Sequence, residues 1–246
     1  MNTYDLSKLS GGVGNRTEVN TSTFDSAFSV LMRNVYSWMS LALVVTALSA
    51  LYVSNSPYVL ELLFSNSSSF IILIVAQLGL ALAFSFGLQK MSFGVASLMY
   101  GLYAILTGIT FSTIFMVYTA SSIATTFFIT AGTFGAMSLY GYFTKKDLTK
   151  WGQILFMGLV GIIIASVVNL FMHSDTVMWV TTYVGVIVFV GLTAYDTQKI
   201  KNLLYESSEQ GVNENTLKLS LFGSFMLYLD FINLFLRLIR LFGKRK

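Results

Sequence analysis

The chain contains no cysteine, one proline and one histidine, and only 11% of its 246 residues are charged. The missing cysteines exclude disulfides and thiolate metal sites. One histidine without cysteine leaves no material for a His/Cys metal cluster. His173 falls in a predicted connection beside Asp175 and reads as a surface residue, so the facing serine and histidine of a membrane serine protease are not supplied. Ordinary globular domains carry about 25% charged residues, so the scarcity of charge argues against a water-soluble fold. The near absence of proline leaves long helices uninterrupted. Residues 1–28 lack a hydrophobic core, so no cleavable signal is expected and the first apolar segment should itself direct insertion. The net charge of +4 is spread over short connections, which gives no nucleic-acid footprint.

What is present is apolar. Hydrophobic residues make up 55% of the chain, with 21 phenylalanines and a mean hydropathy of +0.71. A helix needs about 20 mostly apolar residues to cross a bilayer. Seven stretches qualify, at about 32–53, 69–89, 93–117, 122–143, 152–172, 177–199 and 217–240. A membrane barrel would instead show segments of about 10 residues that alternate in polarity. These runs are longer and apolar all round, so helices are expected. The reading is an all-α membrane protein: a polar amino-terminal segment (1–28), a single seven-helix bundle (29–243) and a basic tail (244–246). The lipid bilayer is its first partner.

Lysine and arginine placement sets orientation. Lys8, Arg16, Arg33, Lys90, Lys145, Lys146, Lys150, Lys199, Lys201 and Lys218 fall in one set of connections, while the alternate ones at 54–68, 118–121 and 173–176 hold none. The bias places the amino terminus in the cytoplasm, where the sequons at Asn15 and Asn20 would escape glycosylation. The other five basic residues, Arg237, Arg240, Lys244, Arg245 and Lys246, cluster at the carboxyl end. Seven crossings put them outside, against the rule. Either the last segment re-enters without crossing, or the earlier segments fix the topology. Seven crossings is the reading adopted.

Two carboxylates interrupt this pattern. Asp196 lies in GLTAYDTQKI and Asp230 in FMLYLDFINLFL. An ionised aspartate at a helix centre costs about 2.5–3.5 kcal/mol on insertion scales. Asp196 has a bland alternative: the sixth helix ends near Ala194, and Asp196 forms a surface ion pair with Lys199, worth under about 1 kcal/mol. Asp230 is flanked by apolar residues on both sides. Asn233 and Arg237 follow at three and seven residues and share its face, a stripe that should point into the bundle or toward water. Its bland alternative is a polar contact that locks helix packing.

Two inward carboxylates within hydrogen-bonding distance would share a proton. Protonated, the pair holds two helices together; deprotonated, it repels itself or accepts a cation. Calcium takes about six to eight oxygens, so two carboxylates make only a weak calcium site, and weak binding suits passage. Lys90 is at a level to neutralise Asp196, or it is a plain loop lysine. Gln77, Asn169 and the intramembrane serines and threonines are expected to make interhelical hydrogen bonds. Gly132, Gly135, Gly141, Gly158 and Gly161 are expected to permit close helix contact. An aspartyl protease of the presenilin type would share the YD half of its signature, but the GxGD half is missing around Asp230, so the chain is not read as an enzyme.

GLTAYDTQKIK, LYLDFINLFLRLIRLFG and FGAMSLYGYFTKKDLTKWG, with RNVYSWMSLALVVTAL and YGLYAILTGITFSTIF, resemble the Bax inhibitor-1 family of transmembrane Bax-inhibitor-motif proteins, over about residues 28–243. The resemblance implies a seven-helix bundle with helix seven central and a pH-sensitive leak of cations, notably calcium. It places the family's paired aspartates on Asp196 and Asp230 and a basic latch on Lys90. Some members carry arginine at that position, and lysine keeps the charge but not the bidentate fork. Where many members have a glutamate in helix two, this chain has Gln77, one cation ligand fewer.

The function expected is a pH-sensitive calcium leak gated by the two aspartates, with Arg237 as a further charge partner and Asn233 and Gln77 as secondary polar groups. No cofactor is expected beyond weakly bound Ca²⁺. The alternatives are a non-conducting membrane interaction protein and a proton-coupled transporter. A prokaryotic inner membrane is the expected location.

Overall fold

In a bilayer every backbone N–H and C=O must be satisfied within the chain, which leaves helices for sequences of this kind. The computed structural model describes residues 7–64 and 67–246. Its helices are α1 (Ser7–Ser54), α2 (Pro57–Phe64), α3 (Ser67–Gly87), α4 (Phe93–Val117), α5 (Ala120–Phe143), α6 (Thr149–Met172), α7 (Asp175–Ser207) and α8 (Glu214–Phe242). Among the described residues seven helices are long and apolar enough to cross a membrane: all of these except the short α2, with Phe24–Ser54 as the apolar part of α1. The lone proline opens α2, at the helix position where its missing N–H costs nothing.

The expected segments are all present, but several helices run past them. The last expected segment began at residue 217, yet α8 starts at Glu214 behind a capping box, in which the Asn213 side chain and Thr216 exchange bonds with each other's backbone N–H. Helix α7 continues to Ser207. Its extension packs on α1, where Phe24 and Phe28 set their rings edge-on to Tyr205 at 4.7 and 5.8 Å.

Burial separates the helices. In α8, 67% of the most apolar window is buried, against 6% in α6. Helix α6 therefore turns Ile154, Phe156, Met157, Ile163 and Phe171 outward, an apolar surface of the kind that lipid covers. Helix α8 packs against α1, α4, α5 and α7. Its contact with α4 is aromatic: Tyr100, Tyr103, Phe225 and Tyr228 stack edge to face at 5.1–6.0 Å. Polar clips hold the same region. The Thr46 hydroxyl donates to the Ala104 carbonyl at 3.0 Å and lies 2.7 Å from the Tyr228 hydroxyl, tying α1, α4 and α8 together. Such bonds average about 0.6 kcal/mol in membranes, so Thr46→Val should lower stability in detergent by about 1 kcal/mol, read from the shift of its unfolding midpoint.

The glycines divide. A Cβ on Gly141 would fall on the Ala194 carbonyl, and one on Gly108 would fall on the Thr46 carbonyl, so these helices touch backbone to backbone. Gly132, Gly135 and Gly161 face open space, contrary to the expectation of close contacts there; at Gly158 a Cβ would meet the Val188 side chain at 3.0 Å. Sequence spacing does not distinguish a glycine under a neighbour from one facing out.

The carboxyl terminus settles whether the last helix crosses. At its start, the Phe93 N–H donates to Glu214 and Lys218 Nζ donates to the Met91 carbonyl, which anchors α8 beside the beginning of α4. At its end, Thr119 N donates to the Lys244 carbonyl and Lys246 N donates to the Val117 carbonyl, which anchors the tail beside the end of α4. Helix α8 thus runs the full length of α4, and a re-entrant turn is excluded. With no native cysteine to interfere, single Lys145→Cys and Lys246→Cys variants should be labelled from opposite sides by an impermeant maleimide. Equal labelling of both from one side would contradict the crossing.

Candidate functional site

Asp230 lies in the fourth to fifth turn of α8 and is 5% exposed. Asp196 lies on α7 and is half-buried. The two helices pack together. Both line one cavity of about 840 Å³ bounded by α3, α4, α6, α7 and α8, together with Gln153, Ser166, Lys199, Asn233 and Arg237. Asp230 Oδ2 is buried and receives no hydrogen bond from the described residues.

The sequence around Asp196 explains its position residue by residue. The Ala194 carbonyl abuts Gly141 of α5, and the Tyr195 ring lies on Gly152 of α6, where a Cβ would collide with it. The Thr197 hydroxyl donates to the Thr193 carbonyl and sits 2.9 Å from the Ser138 hydroxyl of α5. Gln198 clamps the α5–α6 connection: its Oε1 accepts from Leu148 N and its Nε2 donates to the Lys146 carbonyl, at 2.9 and 2.8 Å. Beside that clamp the Thr149 hydroxyl and N–H both donate to Asp147, holding its carboxyl below the usual carboxylate range. AYDTQ is therefore one rigid strip, with Asp196 facing the cavity and its neighbours fastened to α5, α6 and the loop between them.

The other expected residues are distributed unevenly. Asn233 and Arg237 line the cavity with Asp230, so the polar stripe on α8 faces inward. Asn233 Nδ2 donates to the Leu229 carbonyl one turn back. Lys90 is exposed, ends the short turn Leu88–Lys90 and does not line the cavity. Lys199, one turn along α7 from Asp196, lines the cavity with it. Helix geometry guarantees that neighbour, whereas Lys90 needs a particular placement of α3. Gln77 does not line the cavity either. Its side chain is bonded to α4, with Nε2 donating to the Thr107 hydroxyl at 3.0 Å and Oε1 accepting from Thr110 at 2.8 Å. His173 is exposed and closes α6 in a left-handed conformation, φ 50°. Arg240 was not singled out beforehand, although its spacing of three from Arg237 puts the two on one face.

Chemically, the site offers two carboxylates, a lysine and an arginine at its margins, and neutral polar groups. Among the described residues no three Asp, Glu, His or Cys side chains gather. A divalent cation would meet two carboxylates and complete its shell with neutral oxygens and water, an arrangement for weak holding.

A family model described as inhibitor of apoptosis-promoting Bax1 matches residues 29–246. Among curated relatives, the inner membrane protein YbhL of Escherichia coli K12 is 55% identical over 215 residues, covering 87% of this chain and 92% of that protein. The uncharacterized protein RP147 of Rickettsia prowazekii is 45% identical over 224 residues, covering 91% and 93%. A protein of Borreliella burgdorferi is 46% identical over 215 residues, covering 87% and 92%. With seven apolar helices, a family match across nearly the whole bundle and relatives of this closeness, the chain is a multi-pass membrane protein of the Bax inhibitor-1 family.

Proposed function

We propose that this protein is a pH-sensitive cation leak of the prokaryotic inner membrane, passing calcium, with the proton shared by Asp196 and Asp230 as its gate. One observation carries the reading: Asp196 of α7 and Asp230 of α8 line a single cavity, and Asp230 Oδ2 has no donor from the described residues. A buried carboxylate without a donor is costly. A proton on the facing carboxyl supplies the donor and removes the repulsion, and a passing cation does the same work electrostatically. At low pH the shared proton holds α7 to α8 and the route is closed. As pH rises the proton leaves, the like charges repel and the cavity opens to cations. Lys199 moderates the repulsion, so in this chain it takes the place expected of Lys90. No catalytic role is assigned to the pair.

The location rests on the seven crossing helices and on the likeness to YbhL, named as an inner membrane protein. The test is calcium flux in liposomes holding the purified protein, parent against Asp196→Asn and Asp230→Asn. A second reading, a non-conducting protein that docks membrane partners, draws on one feature: an apolar cavity of about 830 Å³ lies open between α1 and α5, with Arg33 and Tyr36 among its walls. Pure protein that passes no cation at any pH favours that reading. Proton movement that depends on a particular solute favours a proton-coupled transporter.

A further inference from the structure

Arg237 belongs to two cavities. Besides the carboxylate cavity it lines a second, of about 380 Å³, toward the far end of α6, α7 and α8. The polar members of that second wall are Ser166, Asn169, Thr181, Asn233, Arg237 and Arg240. No aspartate or glutamate lines it. Asp175 opens α7 at the same end but is exposed and not part of the wall. Two guanidiniums three residues apart on one helix face are held side by side, and like charges so placed repel.

The wall does not use up their donors. Arg240 Nη1 makes one long bond of 3.5 Å to the Thr182 hydroxyl. Arg237 makes no hydrogen bond to the described residues, and its stem lies against Gly185, where a Cβ would crowd the chain at 2.9 Å from Nε. Two of the neutral neighbours have atoms committed to the backbone. Asn169 Oδ1 accepts from Ser174 N, and the Thr181 hydroxyl donates to Val177 and Met178 carbonyls. The N–H groups of two guanidiniums and the Asn169 amide outnumber the acceptors left on the wall, the Asn233 Oδ1 and the Ser166 and Thr181 hydroxyl oxygens. A partly enclosed pocket rich in N–H, with two positive charges and no carboxylate, is matched by a tetrahedral oxyanion, which guanidinium forks bind bidentately.

We propose that Arg237 and Arg240 form a site for a phosphate-type oxyanion at the far mouth of the bundle. The volume admits a phosphate carrying an organic substituent, so free phosphate and the headgroup of an anionic phospholipid present the same chemistry. The proposal does not rest on cation conduction: it stands or falls by binding.

The experiment compares unfolding midpoints of the purified full-length protein, first in neutral detergent with inorganic phosphate against chloride at equal ionic strength. The second arm uses nanodiscs of phosphatidylcholine with or without phosphatidylglycerol. Parent protein should be stabilised by phosphate, by phosphatidylglycerol or by both; the first alone identifies a soluble anion and the second alone a lipid headgroup. Arg237→Gln/Arg240→Gln should weaken the apparent affinity by at least about tenfold, the scale of losing charge-assisted bonds. Arg240→Gln, at an exposed position, guards against misfolding of the double variant and should show a partial loss. Arg237→Lys should bind more weakly than the parent although the charge is kept. Absence of stabilisation in both arms, or equal stabilisation of parent and Arg240→Gln, overturns the proposal.

Discussion

Calcium entry into liposomes carrying the Asp230→Asn protein should be low and flat with pH, while entry through the parent rises as pH increases. Asparagine mimics the protonated carboxyl in size and carries a permanent donor, so it satisfies Asp196 in the way the shared proton does. The expected size follows from the repulsion that it removes. Two unit charges about 4 Å apart interact by about 4 kcal/mol at an effective dielectric of about 20, and every 1.4 kcal/mol or so is tenfold in an equilibrium. Lys199 and water in the cavity reduce that figure, which leaves at least about a tenfold difference between the parent's extremes of pH. Asp196→Asn should flatten the profile in the same way. Lys199→Gln should keep the pH response and raise the flux at high pH, because it removes the cation that tempers the repulsion. Parent-like profiles in both asparagine variants would show that the pair is not the gate.

Gly141→Leu should abolish recovery of folded protein. Gly141 on α5 meets the backbone carbonyl of Ala194 on α7, so any side chain there strikes the α7 main chain. Overpacking of side chains against side chains costs about 1–3 kcal/mol because rotamers can give; here nothing can move except the helices. The contact also sits two residues before Asp196, so separating α5 from α7 would displace the carboxylate. Even Gly141→Ala should reduce the monodisperse peak in size-exclusion chromatography severalfold. Gly135→Ala is the control, since a methyl there meets open space. Equal recovery of the two alanine variants would contradict the backbone contact.

The crossing helices were legible because a bilayer imposes length and apolarity on each one, and polar connections mark their ends. Asp230 was legible for the same reason, as a carboxylate among phenylalanines and leucines needs explanation. The structure added what periodicity cannot carry. The crossing of α8 is decided by backbone bonds from Lys244 and Lys246 to residues 117–119, which leave no side-chain signature. The role of Gln198 depends on where the 145–148 loop passes, and Gln77 was absorbed by two threonines of α4. Lys90 was read as the charge partner of Asp196, and Lys199 only as one half of a surface ion pair. It is Lys199 that lines the cavity, a placement that charge alone did not reveal. Arg240 was counted only as part of a basic tail, although its register with Arg237 already placed both on one face.

Infrared spectroscopy of the protein in membranes addresses the shared proton most directly, because a carboxylic acid and a carboxylate absorb separately and Asp→Asn substitution assigns each band. Near neutral pH the spectrum should show one acid and one carboxylate that both belong to Asp196 and Asp230, with each single substitution altering both bands. Two independent carboxylates, with the Asp196 substitution leaving the Asp230 band unchanged, would contradict the account.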